Sequence, residues 1–340
     1  MAVTINDVAK LSGVSKRTVS RVINRSPSVG EATRERVLKI IHDLNFSPDK
    51  QARGLASSRS YLLGLIYDNP DALYIDQVQR GALDVCSELG YELVVHPCQS
   101  KAIDFIADCL SFISRSKLDG VIILPPVSEN KALAAAICQA GCHYIRLASV
   151  DLDDHQNTVV CDERSAMKEM ATHLVSLGHK DIGFISGPHY FKSSMERMEG
   201  FVSALEECGV NISSNRIIEG RNSYESGIVC AEQLLSGPVK PTAIVANNDE
   251  MAAGALRVAH NLKLSVPDQL SVAGFDDNIL ASRIIPSLTT ICRPVENMAS
   301  LAVQKLINMS QSDDSMPLKL TKAITPVLIC RESTGKRTEN

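Results

Sequence analysis

The sequence predicts two kinds of architecture in one chain, a small all-α head followed by a larger α/β body of two doubly wound, parallel-sheet lobes. Three observations lead there. Apolar residues recur at helical spacing through the first 44 residues, and after Tyr61 short continuous apolar runs alternate with helical stretches. At 340 residues and 44% hydrophobic content, the chain is too long for one small domain and can bury a sizeable core. Charge divides along the same line. Net charge is −4, but residues 1–60 hold eleven Lys/Arg against five Asp/Glu, a balance of +6 that leaves −10 for the remainder. A basic head on an acidic body suits a first segment that faces phosphates and a body that stays clear of them.

In the head, Thr4 to Asp7 has the form of a capping box and predicts a helix from Asn6 to Leu11. Ser12-Gly13-Val14 breaks it, because glycine accepts the left-handed backbone of a tight turn, and Ser15 caps a second helix running to about Asn24. Val14 and Val19 fit a hydrophobic staple. Val19, Val22 and Ile23 share one face of this helix, and Arg17, Ser20, Arg21 and Asn24 share the other. A third helix, Glu31 to Leu44, carries Val37, Ile40, Ile41 and Leu44 at the spacing that buries the first two. Three helices with this turn make a helix-turn-helix. Lys16, Arg17 and Arg21 then occupy the helix that presents side chains to major-groove base edges, where arginine can bind guanine through two hydrogen bonds. The bland reading is that they are ordinary solvated charges. From Ser47 a short helix start with Pro48 at its first position gives way to a Ser-rich linker, and Gly54 together with its shortness makes that helix marginal on its own.

Residues 4–24 follow almost residue for residue the pattern Thr-Ile-x-Asp-Val-Ala…Gly-Val-Ser-x-x-Thr-Val-Ser-Arg-Val-Ile-Asn, and in this the chain resembles the LacI/GalR family of bacterial repressors. The resemblance implies an all-α helix-turn-helix head plus an α/β periplasmic-binding-protein-like effector domain of two doubly wound parallel-sheet lobes. It implies DNA contacts from Thr4, Ser15, Lys16, Arg17, Thr18, Ser20, Arg21 and Asn24. It further implies a hinge helix containing Ala52 and Leu55, with Leu55 as a minor-groove wedge shared with a dimer mate; the bland alternative is a plain linker. The implied domains are 1–47, the helix-turn-helix; 48–60, hinge helix and linker; and 61–335, the ligand-binding domain. Its first lobe takes about 61–161 and 293–321, its second about 162–291 and 323–335.

In the body, apolar runs at 62–67, 92–96, 120–124, 144–147, 182–186, 243–246 and 271–275 read as strands buried on both faces of parallel sheets. In such folds ligands bind beyond the carboxyl ends of strands. Polar residues follow several of these runs: Asn69 and Tyr74, Arg197, Asn247 to Asp249, and Asp276-Asp277. Planar Asn, Asp and Arg groups with one aromatic ring suit a polyol. Asn247, Asp249 and Asp277 equally suit helix caps, and the sequence leaves both readings open. The family resemblance extends through 177–187 and 286–290 and implies effector contacts by Arg197, Asn248 and Asp276. Where the family commonly has a sugar-contacting Asp near 144–148, this chain has Arg146, which either sets a different specificity or pairs with a nearby carboxylate. Residues 66–70 and 91–98 are similar to a subgroup associated with glucoside (salicin-type) utilisation.

Ten scattered cysteines with no Cys-x-x-Cys pair point to neither a disulfide framework nor a zinc site. No phosphate-cradling, nucleophile-elbow or His-Glu-x-x-His motif occurs, so no enzyme, cofactor or metal is expected. No apolar run reaches bilayer-spanning length and no export leader opens the sequence, which predicts a cytoplasmic protein. The tail from Arg331 lacks leucine heptads, so a homodimer is expected and not a coiled-coil tetramer. The expected partners are double-stranded operator DNA and a sugar or glycoside effector. The alternatives are a sugar-binding protein without transcriptional role and a repressor using a non-sugar co-repressor such as a purine.

Overall fold

The computed structural model describes residues 3–23, 26, 28–44, 46, 59–152, 155–311 and 323–337. Residues 1–61 and 62–340 form two separate compact units. In the first, α1 (Ile5–Ser12), α2 (Lys16–Ile23) and α3 (Glu31–Asp43) lie within a residue or two of their predicted limits. The Asp7 carboxylate accepts from Thr4 N at 2.8 Å and from its hydroxyl at 2.7 Å, and Gly13 turns the chain at φ 65°. Ser15 Oγ accepts from Thr18 N at 3.1 Å, satisfying one of the free amides that open α2. Val8, Val19, Val22 and Val37 form the buried centre, joined by Phe46, which the helical spacing did not single out.

The second unit holds two sheets. The first has strand order β2-β1-β3-β4-β5, with β1 Leu62–Tyr67, β2 Glu92–Pro97, β3 Gly120–Ile123, β4 His143–Ala148 and β5 Thr158–Val160, all parallel. The second has order β11-β10-β9-β8-β6-β7, with β6 Ile182–Ser186, β7 Ile217–Glu219, β8 Ala243–Ala246, β9 Ser271–Asp276, β10 Thr289–Cys292 and β11 Val327–Ile329. β10 and β11 run antiparallel, so the second sheet is not purely parallel as the sequence predicts. Nor is every strand buried on both faces. β2 is an edge strand with no fully buried residue, and its Val95 stands in solvent. β5, β7, β10 and β11 have no counterpart among the predicted runs; each is three or four residues long, and each pairs with a longer neighbour.

Helices cover the faces. The core of the second sheet lies in two layers, one around Phe184, Phe201 and Phe275 and the other around Ile244, Met251 and Val272. One face of the first sheet is closed by α5 (Phe105–Ser116) and α6 (Lys131–Gln139), around Ile66, Ile123 and Leu133. Its other face receives α4 (Ala72–Leu89) and α12 (Val295–Gln311), so the chain leaves β10 of the second sheet to pack on the first. It returns at Ile324, which bridges Cys161 beside β5, and then enters β11. Both lobes are thus assembled from separated stretches of sequence.

α4 and α12 touch backbone to backbone at Gly81, where a Cβ would fall inside the van der Waals radius of Glu296 O and where Ser300 Oγ donates to Gly81 O at 2.8 Å. A side chain there must push the helices apart. Gly81→Ala is expected to destabilise the protein by about 1–3 kcal/mol, the usual cost of overpacking, read as a lowered urea midpoint at unchanged slope.

Candidate functional site

Both sheets reverse their winding direction next to their first strand, and open α/β sheets bind ligands at such a reversal. In the first sheet β1 lies between β2 and β3, and the chain leaving β1 and β3 supplies Asn69 and Pro125. In the second, β6 lies between β7 and β8, and the segments beyond β7 and β8 supply Asn222, Asn247 and Asn248. These ends face one another across a cavity of about 30 Å3. Asp71 and Tyr74 border it from the first lobe, Phe191, Ser193, Arg197 and Asp276 from the second, and Arg293 from the passage between them.

Four charged side chains form a closed network beneath this cavity. Glu163, at the first position of α7 (Glu163–Ser176), accepts from Arg197 Nε at 2.6 Å and from Arg293 Nη1 at 3.1 Å. Asp276, the last residue of β9, pairs with Arg293 Nη2 at 2.9 Å and Arg197 Nη2 at 3.6 Å. All four are more than nine-tenths buried. Burial alone would raise the Glu163 carboxyl, but the two guanidinium groups outweigh it and hold it below the ordinary carboxylate range. Asp276 shows the opposite balance: burial pushes it up to about 6 against the pull of Arg293 and Arg197. Arg197 Nη1 also donates to Asn247 O at 2.5 Å, its guanidinium lies 3.7 Å from the centre of the Phe275 ring, and Arg293 lies over Tyr74 at 4.6 Å. Arg293 Nε and Asn247 Oδ1 are buried without a hydrogen-bond partner at the cavity wall.

Of the residues the sequence assigns to a ligand, Asn69, Tyr74, Arg197, Asn248 and Asp276 line the cavity. Tyr74 does not offer its open ring, since Arg293 covers one face and only 5% of the residue is exposed. Arg146 is absent from the lining. It is 1% exposed and donates from Nε to Ser128 O at 2.5 Å and from Nη1 to Leu152 O at 3.5 Å, tying together backbone segments of the first lobe. Asn248 and Asp249 divide the structural roles between them. Asn248, expected to face ligand, caps α10 (Asp249–Asn261) by accepting from Met251 N, and turns its amide nitrogen to Asn222 O at 3.1 Å and Asp71 Oδ2 at 3.5 Å. Asp249 is fully buried, accepting from Thr290 Oγ1 and Asn278 N, with its carboxyl raised well above the usual range by burial and by Asp276. Asp277 pairs with Arg331 at 2.6 Å. Asp249 and Asp277 thereby secure the turn in which Asp276 and Asp277 adopt φ of 109° and 54°, a backbone state unfavourable for residues other than glycine.

Sequence reasoning missed Glu163, Arg293, Asp71 and Asn222. Glu163 and Arg293 follow the short strands β5 and β10, which no apolar run announces. The available signal was a charged residue at each point where the chain passes between lobes.

In the head, Lys16, Arg17 and Arg21 are exposed on α2, Thr18 and Ser20 are half-buried, and Thr4 and Ser15 cap the first two helices. Asn24, Ala52 and Leu55 lie outside the described residues. Among the described residues no helix is long and apolar enough to cross a membrane, and no cluster of three metal-ligating side chains occurs.

A helix-turn-helix joined to a two-lobed body with a polar cleft defines a ligand-responsive regulator that binds DNA. Residues 4–49 match the bacterial regulatory proteins of the lacI family, and residues 171–334 match a periplasmic binding protein-like domain. The chain is 32% identical to "Probable HTH-type transcriptional repressor ExuR" of Bacillus subtilis (strain 168), covering 94% of this chain and 95% of that protein. It is 31% identical to Catabolite control protein A of Priestia megaterium, over 93% and 96%. Among solved structures it resembles the lac repressor dimer bound to operator and the anti-inducer ONPF, at 27% identity and TM-score 0.75, covering 98% of this chain and all of that one. It also resembles a transcriptional regulator CelR–cellobiose complex, at 26% identity and TM-score 0.72, over 97% and 99%. This chain belongs to the LacI family of bacterial transcriptional regulators.

Removing charge from Glu163 leaves two buried guanidinium groups facing half their acceptors. Glu163→Gln is expected to cost about 3 kcal/mol or more, as breaking a buried pair does, whereas Glu207→Gln at the exposed Lys168–Glu207 pair should cost less than about 1 kcal/mol. Paired urea titrations measure the contrast.

Proposed function

We propose that this regulator is a cytoplasmic homodimer that represses carbohydrate-utilisation genes and changes its grip on operator DNA when a small sugar or glycoside fills the cleft. It carries out no chemistry of its own. The observation that carries the reading is the cavity at the strand reversals of both sheets, walled by Arg197, Asp276, Arg293 and four asparagines. Paired guanidinium, carboxylate and amide groups offer donors and acceptors in the planar geometry that vicinal hydroxyls need. Buried partnerless atoms such as Arg293 Nε gain most from a ligand oxygen, because leaving such a donor unmet costs about 1–3 kcal/mol. Arg197, Asp276 and Asn69 are the main ligand contacts, with Tyr74 and Asn248 shaping the wall. The cellobiose held by the similar regulator CelR supports the class of effector.

On DNA, Lys16, Arg17 and Arg21 of α2 meet base edges, and Thr4, Ser15, Thr18, Ser20 and Asn24 position the helix against phosphate and groove walls. Two heads of a dimer occupy successive major grooves, with Ala52 and Leu55 of paired hinges in the minor groove between. The +6 balance of residues 1–60 supplies the attraction to phosphate.

Selection of the full-length protein on a random duplex library tests the DNA half. A pseudo-palindrome is the expected outcome, with log affinity falling steeply against log salt; binding no better than to random competitor overturns it. Arg17→Ala should flatten base preference at one position of each half-site by about 1–3 kcal/mol. For the cleft, a thermal-shift screen of neutral sugars should give a stabilising hit that Arg197→Lys abolishes while operator affinity stays within about twofold.

A further inference from the structure

We propose that Glu129 is a clasp between the lobes, a first-lobe carboxylate that caps the second-lobe helix bearing Arg197 and so sets how readily the cleft closes. Glu129 ends the 3-10 turn Val127–Glu129 just beyond β3. Its carboxylate accepts from Lys192 N at 3.0 Å and 3.3 Å through its two oxygens. Lys192 is the first residue of α8 (Lys192–Glu207), whose N-cap position is Phe191, a residue with no oxygen in its side chain to supply a cap. The helix therefore takes its capping acceptor from the opposite lobe, where a negative charge also suits the positive end of the helix dipole.

A second first-lobe residue holds the same segment, with Lys101 Nζ 5.2 Å from the centre of the Tyr190 ring. Phe191, between the two, lines the cavity, and Ser193 and Arg197 follow it on the first turns of α8. Opening the lobes must break the Glu129 contact and move this wall. The groups facing Glu129 are Lys192 on α8, Arg146 on β4 and Glu163 on α7. Burial raises the Glu129 carboxyl to about 7, against the Lys192 amide and charge. The physiological meaning rests on the effector reading of the cleft, but the test uses no effector, so the two can fail separately.

The test is pulsed dipolar spectroscopy on the full-length, ligand-free protein, with spin labels carried by noncanonical residues at exposed Ile103 and Val229, one on each lobe, which avoids the native thiols. Glu129→Ala is expected to raise the open-to-closed ratio about fivefold, the effect of losing one helix cap of typical strength. Lys192→Pro should do the same, because proline at the first helical position removes the amide donor without breaking the helix, and the double variant should add nothing further. Lys192→Ala, which keeps the amide, should stay closed. An unchanged distance distribution in Glu129→Ala and Lys192→Pro, or opening of Lys192→Ala to the same extent, overturns the proposal. Should Glu129→Ala fail to fold by circular dichroism, Lys192→Pro decides alone.

Discussion

The body of this regulator is organised around Glu163, one buried carboxylate shared by two guanidinium groups. Arg197 reaches it from α8 of the second lobe and Arg293 from the passage between the lobes, and both continue to Asp276. Four charges withdrawn from water are costly, and replacing such a group by well-packed apolar side chains often leaves a protein as stable or more so. What the network secures is geometry. Each member must sit within ion-pair reach of its partners, which fixes the start of α7, the end of β9 and the segment after β10 relative to one another. The cavity wall is the upper side of that arrangement.

Its supports are equally specific. Asp249 and Asp277 hold the left-handed turn at Asp276, while the phenyl ring of Phe275 backs Arg197 and the Tyr74 ring backs Arg293. Apart from Tyr74, which itself lines the cavity, these supports lie behind the side chains that touch it, the condition under which small shifts pass to the lobes instead of being absorbed by loose rotamers. The head is built on a different principle. Its small valine-rich centre leaves α2 with Lys16, Arg17 and Arg21 in solvent, so the charge of the head is exposed while the charge at the cleft is buried.

Much of this was legible from residue order. The three head helices, the turn at Gly13 and the seven longer strands follow from spacing, since period and apolar runs report burial directly. Placement of Arg197 and Asp276 beside a cleft was legible too, through the family pattern and the rule that ligands meet strand ends. The division of roles between Asn248 and Asp249 was not. Both side chains can cap a helix, and which one does depends on the rotation of α10 against β9 and β10. Arg146 was equally ambiguous, because nothing local reveals that the carbonyls of Ser128 and Leu152 converge on it.

By itself the sequence determined the head helices and seven of the strands, the family, the division of charge between head and body and the polar character of the cleft. All of these rest on periodicity and local chemistry, which act over a few residues. Tertiary structure alone decided that Glu163 joins Arg197 and Arg293, that Arg293 covers Tyr74, and that Glu129 caps a helix in the other lobe. Those partners are 34, 130, 219 and 63 positions apart in the chain. Contacts at such separations are set by how packed layers meet, and no local preference encodes them.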